Sequence, residues 1–275
     1  MRVFNDQMNR SIELPHTPTR IISLVPSQTE LLFDLGIKEE LVGITKFCIH
    51  PEGFYKNKTF VGGTKKINFD KIFFLQPDLI IGNKEENEQH QMETLMQEYP
   101  VWMSNIKNLD DALDMIIKVG ELVGKGKKAL EISDRINLQF KELETIINRT
   151  TPQKKVAYFI WKNPYMSINE DTFIHHLLSK LNLKNVFQNN TSSRYPIVSA
   201  DDIASENPDY IFLSSEPYPF KEKHLKEFAA ICPETKVILV DGELFSWYGS
   251  RLLKVPTYFR ELLSILHGDS LFLRA

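Results

Sequence analysis

Cysteine is scarce in this chain: Cys48 and Cys232 are its whole complement. Two isolated thiols make neither a disulfide framework nor the paired Cys/His spacing of a structural zinc site. Free thiols in apolar or loop settings are expected. A basic excess is also missing. The net charge is −3, with 25% charged residues, whereas a nucleic-acid binder usually carries a basic face. No stretch approaches the ~20 apolar residues of a membrane span. The first residues, Met1–Ser11, lack the apolar run of about 7 to 15 residues that marks a secretory signal. As it stands the chain reads as soluble and not exported. Catalytic signatures are absent too: there is no His-Glu-x-x-His, no Gly-x-Ser-x-Gly, no phosphate-binding Gly-x-x-x-x-Gly-Lys-Ser/Thr and no Gly-x-Gly-x-x-Gly opening a helix. Gly62-Gly63-Thr64-Lys65 suits a phosphate but is too short to be diagnostic. A non-enzymatic binding role is the expectation.

What is present is a long-range repeat. Residues 68–85 align without a gap on 199–216, with Asp70/Asp201, Ile72/Ile203, Pro77/Pro208, Asp78/Asp209, Ile80/Ile211 and Glu85/Glu216 identical. Each copy reads as a short helix, a Pro-Asp turn, a buried strand and an acid just past the strand. The spacing is far beyond a solenoid period of roughly 20 to 50 residues, so it implies two similar lobes with a cleft. A length of 275 residues accommodates two domains of about 100 to 150 residues.

Alternating strands and helices in both halves predict two α/β lobes with parallel sheets. Arg2–Asn5 and Ser11–Leu14 form a hairpin. Arg20–Val25, Leu41–Ile44, Asp78–Gly82, Pro100–Met103, Val156–Ile160, Asp209–Leu213 and Lys236–Val240 read as strands. Pro26–Gly36 reads as a helix with Ser27 at its N-cap and Glu30 three residues in. From Lys125 to Arg149 no proline or interior glycine interrupts apolar residues at Ala129, Ile132, Ile136, Phe140, Leu143 and Ile147, a helical spacing. A rigid connecting helix is expected there, giving lobes at 1–124 and 151–275 around a connector at 125–150.

Ligands of open α/β sheets bind beyond the carboxyl ends of the strands, so the loops after the strands are the candidate site. Trp161 and Trp247-Tyr248 are either caps on the second core or flat walls for a ring-bearing ligand. Glu85, Glu86 and Glu216 would face the cleft, with Asp241 and Glu243 beside them. They are either solvated carboxylates, or they meet a cationic group or balance Lys65 and Arg251. Cys48 and His50 could offer a soft metal pair, a weak candidate without a matching second pair. His175-His176 diverge by about 100° on a helix and read as structural. Asp70 and Asp201 suit the first turn of a helix, and as a symmetric pair would equally suit a basic partner.

Arg20-Ile-Ile-Ser-Leu-Val-Pro-Ser-Gln-Thr-Glu-Leu-Leu-Phe-Asp-Leu-Gly36, Val61-Gly-Gly-Thr64, Asn68-Phe-Asp-Lys-Ile72, Gln76-Pro-Asp-Leu-Ile-Ile81, Tyr195-Pro-Ile-Val-Ser-Ala-Asp-Asp-Ile203 and Pro208-Asp-Tyr-Ile211 resemble the substrate-binding proteins of ABC importers. The likeness is to the cobalamin and ferric-siderophore type. It covers roughly 20–266 and is nearest the cobalamin-binding branch. It implies two Rossmann-like lobes joined by one long helix, with a metal chelate (cobalamin, ferric siderophore or haem) as ligand and no intrinsic cofactor. By position it implies ligand contacts at Ser27, Phe47, Thr64, Tyr195, Asp241 and Trp247. Asp70 and Asp201 fall on the carboxylates that dock arginines of a permease dimer, where the family usually carries Glu. The protein would be a periplasmic monomer. The alternative is a cytoplasmic protein that stores, passes on or acts on a tetrapyrrole or metal through Cys48, His50 and the Glu85/Glu86/Glu216 group.

Overall fold

Short apolar runs set between proline, glycine and asparagine become strands, and longer runs of helical period become the helices that cover them. The computed structural model describes residues 1–150 and 152–268. The chain divides into two units. Unit 1 takes residues 1–106, 110–137 and 248–253; unit 2 takes 107–109, 138–247 and the residues from 254 onward.

Unit 1 begins with an antiparallel hairpin, β1 (Arg2–Asn5) and β2 (Ser11–Leu14). Then follow β3 (Ile21–Ser23), α1 (Pro26–Asp34), β4 (Leu41–Ile44), β5 (Thr59–Phe60), α2 (Phe69–Leu75), β6 (Leu79–Asn83), α3 (Gln89–Met96), β7 (Val101–Ser104) and α4 (Leu109–Leu122). The strands form one parallel sheet in the order β5-β4-β3-β6-β7. All of β6 is buried, as a strand covered on both faces requires. The hairpin is anchored by the buried Asp6, whose carboxylate accepts the N–H groups of Met8 at 2.8 Å, Arg10 at 2.9 Å and Met103 at 3.3 Å. Helix α5 (Gly126–Thr150) buries Ala129, Ile136, Phe140, Leu143 and Ile147 of the expected stripe, while Ile132 stays half-buried. Its residues group with unit 1 up to Asn137 and with unit 2 from Leu138.

Unit 2 holds β8 (Lys154–Phe159), β9 (Tyr165–Met166), α6 (Phe173–Lys180), β10 (Leu183–Asn185), β11 (Ile197–Val198), α7 (Ala200–Glu206), β12 (Tyr210–Ser214), α8 (Glu222–Ile231), β13 (Lys236–Val240), α9 (Glu243–Ser246) and α10 (Val255–His267). Its sheet is parallel in the order β10-β8-β12-β13, and β9 pairs antiparallel with β11. Strands β9, β10 and β11 have two or three residues each, too few for a period to emerge from the sequence.

The repeat is one structural device built twice. Both copies end their short helix on a left-handed residue, Gln76 with φ 45° and Asn207 with φ 45°. Proline then stops the helix, and the following aspartate caps the entry of the neighbouring strand. Asp78 accepts the N–H groups of Thr19 at 2.7 Å and Arg20 at 2.9 Å; Asp209 accepts that of Lys155 at 2.7 Å. The Arg20 guanidinium donates to the Leu75 carbonyl at 2.9 and 2.6 Å, and the Lys155 ammonium to the Glu206 carbonyl at 2.5 Å. These bonds satisfy last-turn carbonyls that a helix leaves open. Ile72, Ile203, Ile80 and Ile211 are fully buried.

One local expectation is corrected. Helix α1 starts at Pro26, Val25 occupies the cap position without a side-chain bond, and Ser27 and Glu30 lie buried within the helix. Proline at the first position has its φ preset and lacks the N–H that a hydroxyl would otherwise satisfy.

Candidate functional site

In unit 1 the strand-end loops rest on a scaffold of buried amides. The Asn83 side chain donates to Ser104 Oγ at 2.9 Å and accepts the N–H groups of Glu85 and Glu86 at 2.8 and 3.0 Å. Asn87 accepts Asn83 N–H at 2.8 Å and donates to the Thr64 carbonyl at 3.0 Å, while Gln91 donates to the Lys65 carbonyl at 2.8 Å. Thr64, Lys65 and Glu85 are thereby set on adjoining loops, and Lys65 Nζ donates to the Glu85 carbonyl at 2.6 Å. Phe47 is 49% exposed. Its ring lies against Gly63, where an added Cβ would stand 3.1 Å from the ring edge, a tight approach. Asn87 and Gln91 escaped the sequence reading, since nothing local separates a scaffolding amide from a solvated one.

Residues 248–253 complete unit 1. Tyr248 is buried, and burial, then Glu86 and Glu85, push its hydroxyl well above the ordinary tyrosine range, against bonds with Ser27 and Ser104. Gly249, with φ +110°, passes so close to Ser27 that a Cβ would meet the Ser27 carbonyl oxygen at 3.1 Å. Arg251, which the sequence offered as a cation for nearby acids to balance, is 6% exposed and donates to Glu30 at 2.7 and 3.0 Å. Sequence spacing concealed that fork because its halves stand 221 positions apart.

In unit 2 the acid after β12 has turned inward. Glu216 accepts the Trp247 indole N–H at 2.9 Å and the Ser246 hydroxyl at 2.6 Å. Burial raises its pKa, Glu243 and Asp241 add to the rise, and the two hydrogen bonds oppose it. Trp247 is 8% exposed. The Asp241 carboxylate accepts Glu243 N–H at 3.0 Å at the start of α9. Trp161 remains 40% exposed, its ring edge-on to Tyr218 at 5.6 Å. Tyr195 is half-buried before β11, with the Arg194 guanidinium 6.0 Å from its ring centre.

Asp70 and Asp201 are exposed in the first turns of α2 and α7. The capping belongs to their neighbours. Asn68 accepts Lys71 N–H at 2.9 Å, and Ser199 accepts Asp202 N–H at 3.1 Å while Asp202 accepts back from Ser199 at 2.8 Å. Among the described residues neither Asp70 nor Asp201 makes a hydrogen bond or ion pair.

Cys48 is buried, its Sγ 3.2 Å from Thr29 Oγ1 and 3.3 Å from Thr45 Oγ1. Burial raises its pKa, away from the thiolate that binds metals. His50 is half-buried. Among the described residues no group of three or more His, Cys, Asp or Glu could hold a metal ion. His175 and His176 lie half-buried on α6, and burial lowers the His175 pKa. Among the described residues no helix is long and apolar enough to cross a membrane.

Comparison with known proteins gives a match of the periplasmic binding protein family model to residues 21–230. An uncharacterised ABC transporter substrate-binding lipoprotein of Bacillus subtilis is 23% identical over 215 residues, 75% of this chain and 67% of that protein. A vitamin B12-binding protein of Vibrio vulnificus is 26% identical over 206 residues, 74% of each. Among solved structures, the periplasmic vitamin B12 binding protein of Vibrio cholerae superposes with a TM-score of 0.80 at 22% identity, covering 93% of this chain and 100% of that one. A periplasmic heme binding protein from Pseudomonas aeruginosa gives 0.76 at 18%, covering 92% and 94%. Structural likeness at these identities concerns the fold.

Proposed function

We propose, since the chain belongs to the periplasmic binding protein family, that it is the substrate-binding component of an ABC importer. It is a monomeric, non-enzymatic receptor outside the cytoplasm. It binds a metal chelate, cobalamin-like, a ferric siderophore or haem, and presents it to a membrane permease dimer. The relatives named for vitamin B12 and heme support that ligand class.

The observation that carries the reading is the matched pair Asp70 and Asp201. Each occupies the same position of a duplicated helix, and neither is used by its own unit. Two equivalent exposed acids suit a partner that offers two equivalent basic sites. Ligand contact comes from the strand-end loops. Phe47, Thr64 and Lys65 serve unit 1, and Trp161 and Tyr195 serve unit 2, with Phe47 and Trp161 offering rings to an amphipathic macrocycle. Ser27, Glu85, Tyr248 and Arg251 in the first unit, and Glu216, Asp241 and Trp247 in the second, support those loops.

The test is titration of the purified protein with cyanocobalamin, a ferric hydroxamate and ferric protoporphyrin, together with co-purification on the permease. Phe47→Ala weakens the ligand that binds about tenfold, the loss of a partly desolvated ring contact. Asp70→Lys with Asp201→Lys leaves ligand affinity intact and abolishes permease association. A double variant that still co-purifies like the wild type refutes the docking role. Failure to bind any of the three chelates refutes the ligand class.

A further inference from the structure

Two aromatic loops at the carboxyl end of the unit 2 sheet are locked to each other. Tyr218 N–H donates to the Ile160 carbonyl at 3.2 Å, joining the loop after β12 to the loop after β8. Trp161 is held in that second loop from both sides. The Met166 N–H donates to its carbonyl at 3.1 Å. Its neighbour Lys162 pairs with Glu227, which also accepts the Tyr165 hydroxyl at 2.5 Å. The result is an exposed indole beside a half-buried phenol, on the edge where parallel sheets take their ligands.

The phenol has a fixed orientation, set by His224. That ring is 5% exposed and its Nδ1 accepts the Lys221 N–H at 2.9 Å, so a neutral ring carries its proton on Nε2. Burial, and then Lys162 and Lys223, lower the His224 pKa, in keeping with an Nδ1 that accepts an N–H and so carries no proton. Nε2 lies 3.4 Å from the Tyr218 oxygen, which is therefore the acceptor of that bond. Its own O–H must point elsewhere, and among the described residues no acceptor takes it.

From this geometry we infer that Tyr218, oriented by His224, is a hydrogen-bond donor to an oxygen acceptor on the rim of the bound chelate, beside the Trp161 ring. The inference rests on the chelate reading above and narrows it: the ligand carries carboxylate, amide or hydroxamate oxygens at its periphery. Tyr218 is the contact and His224 the positioning residue.

The experiment titrates wild type, Tyr218→Phe, His224→Phe and the double variant with ferric protoporphyrin, its dimethyl ester, cyanocobalamin and a ferric hydroxamate, following tryptophan fluorescence. Tyr218→Phe weakens the ligand that binds by about 10-fold for a neutral acceptor and up to about 100-fold for a carboxylate. An effect seen with protoporphyrin and lost with its ester identifies a carboxylate; an effect with cobalamin identifies an amide. His224→Phe weakens binding in the presence of Tyr218 and has no further effect in the Tyr218→Phe background, an outcome that simple loss of packing does not produce. Wild-type binding with Tyr218→Phe unchanged overturns the inference and leaves the chelate reading standing. A wild type that binds none of the four overturns the chelate reading, and the inference with it.

Discussion

Removing one partner of the Glu30–Arg251 fork tests how residues 248–253 are held in unit 1. Both side chains are 6% exposed, and the geometry is a two-point contact at 2.7 and 3.0 Å. Such a pair adds little over a well-packed apolar replacement, because desolvating two charges offsets most of their attraction. Deleting one partner is different: it strands the other charge out of water, at a cost of about 3–5 kcal/mol. Glu30→Leu and Arg251→Met should each lose that amount in urea unfolding. The combination Glu30→Leu/Arg251→Met should recover most of it. The coupling between the two sites should therefore reach about 5 kcal/mol or more, above the usual range of about 0.5–3 kcal/mol for residues in contact. Single variants within about 0.5 kcal/mol of wild type, or a double variant that sums the two losses, would refute the reasoning. Tyr248 gives a local check, since loosening the segment opens the burial that keeps its hydroxyl from ionising.

Two further predictions follow from buried groups. The Glu216 pKa is raised above 4.5 by burial, so the folded state holds that proton more tightly than the unfolded state does. Its contribution is fully present below pH 4.5 and is lost as pH rises through the folded value. Glu216→Gln should therefore gain stability relative to wild type as pH increases from 4.5 to 8 in urea titrations; a flat difference contradicts this. The Cys48 thiol, buried beside Thr29 and Thr45 with its pKa raised, should react with a thiol reagent only after unfolding. The comparison is wild type against Cys48→Ser, and labelling of Cys48 in native buffer at the rate of a free thiol contradicts it.

The sequence announced those parts of the fold that depend on neighbours in the chain. The apolar run of β6, the stripe of α5 and both copies of the Pro-Asp turn are local patterns. The repeat was legible in advance because the same capping problem is solved at Asp78 and Asp209 by the same residues. What stayed hidden depends on partners far along the chain. Ser27 and Glu30 carry the signature of a capped helix start, yet Pro26 takes over that start and Arg251 takes the acid. Glu85 and Glu216 align in the repeat but part in their surroundings: Asn83 organises the backbone around one, and Trp247 and Ser246 bind the carboxylate of the other. The freedom of Asp70 and Asp201 was equally out of reach, because a first-turn acid that caps and one that does not look alike in a sequence.

Residues 248–253 also set a timetable for the chain as it is made. Domains generally fold as units, N-terminal first during synthesis. Unit 1 departs from that order, because its sheet and most of its helices are available early while Arg251 must arrive 221 positions after the glutamate it neutralises. Until then Glu30 waits as an unneutralised acid on α1, in a unit whose last six residues have not been made. Unit 1 thus begins to fold ahead of unit 2, and it closes only after residues 138–247 of unit 2 have been made.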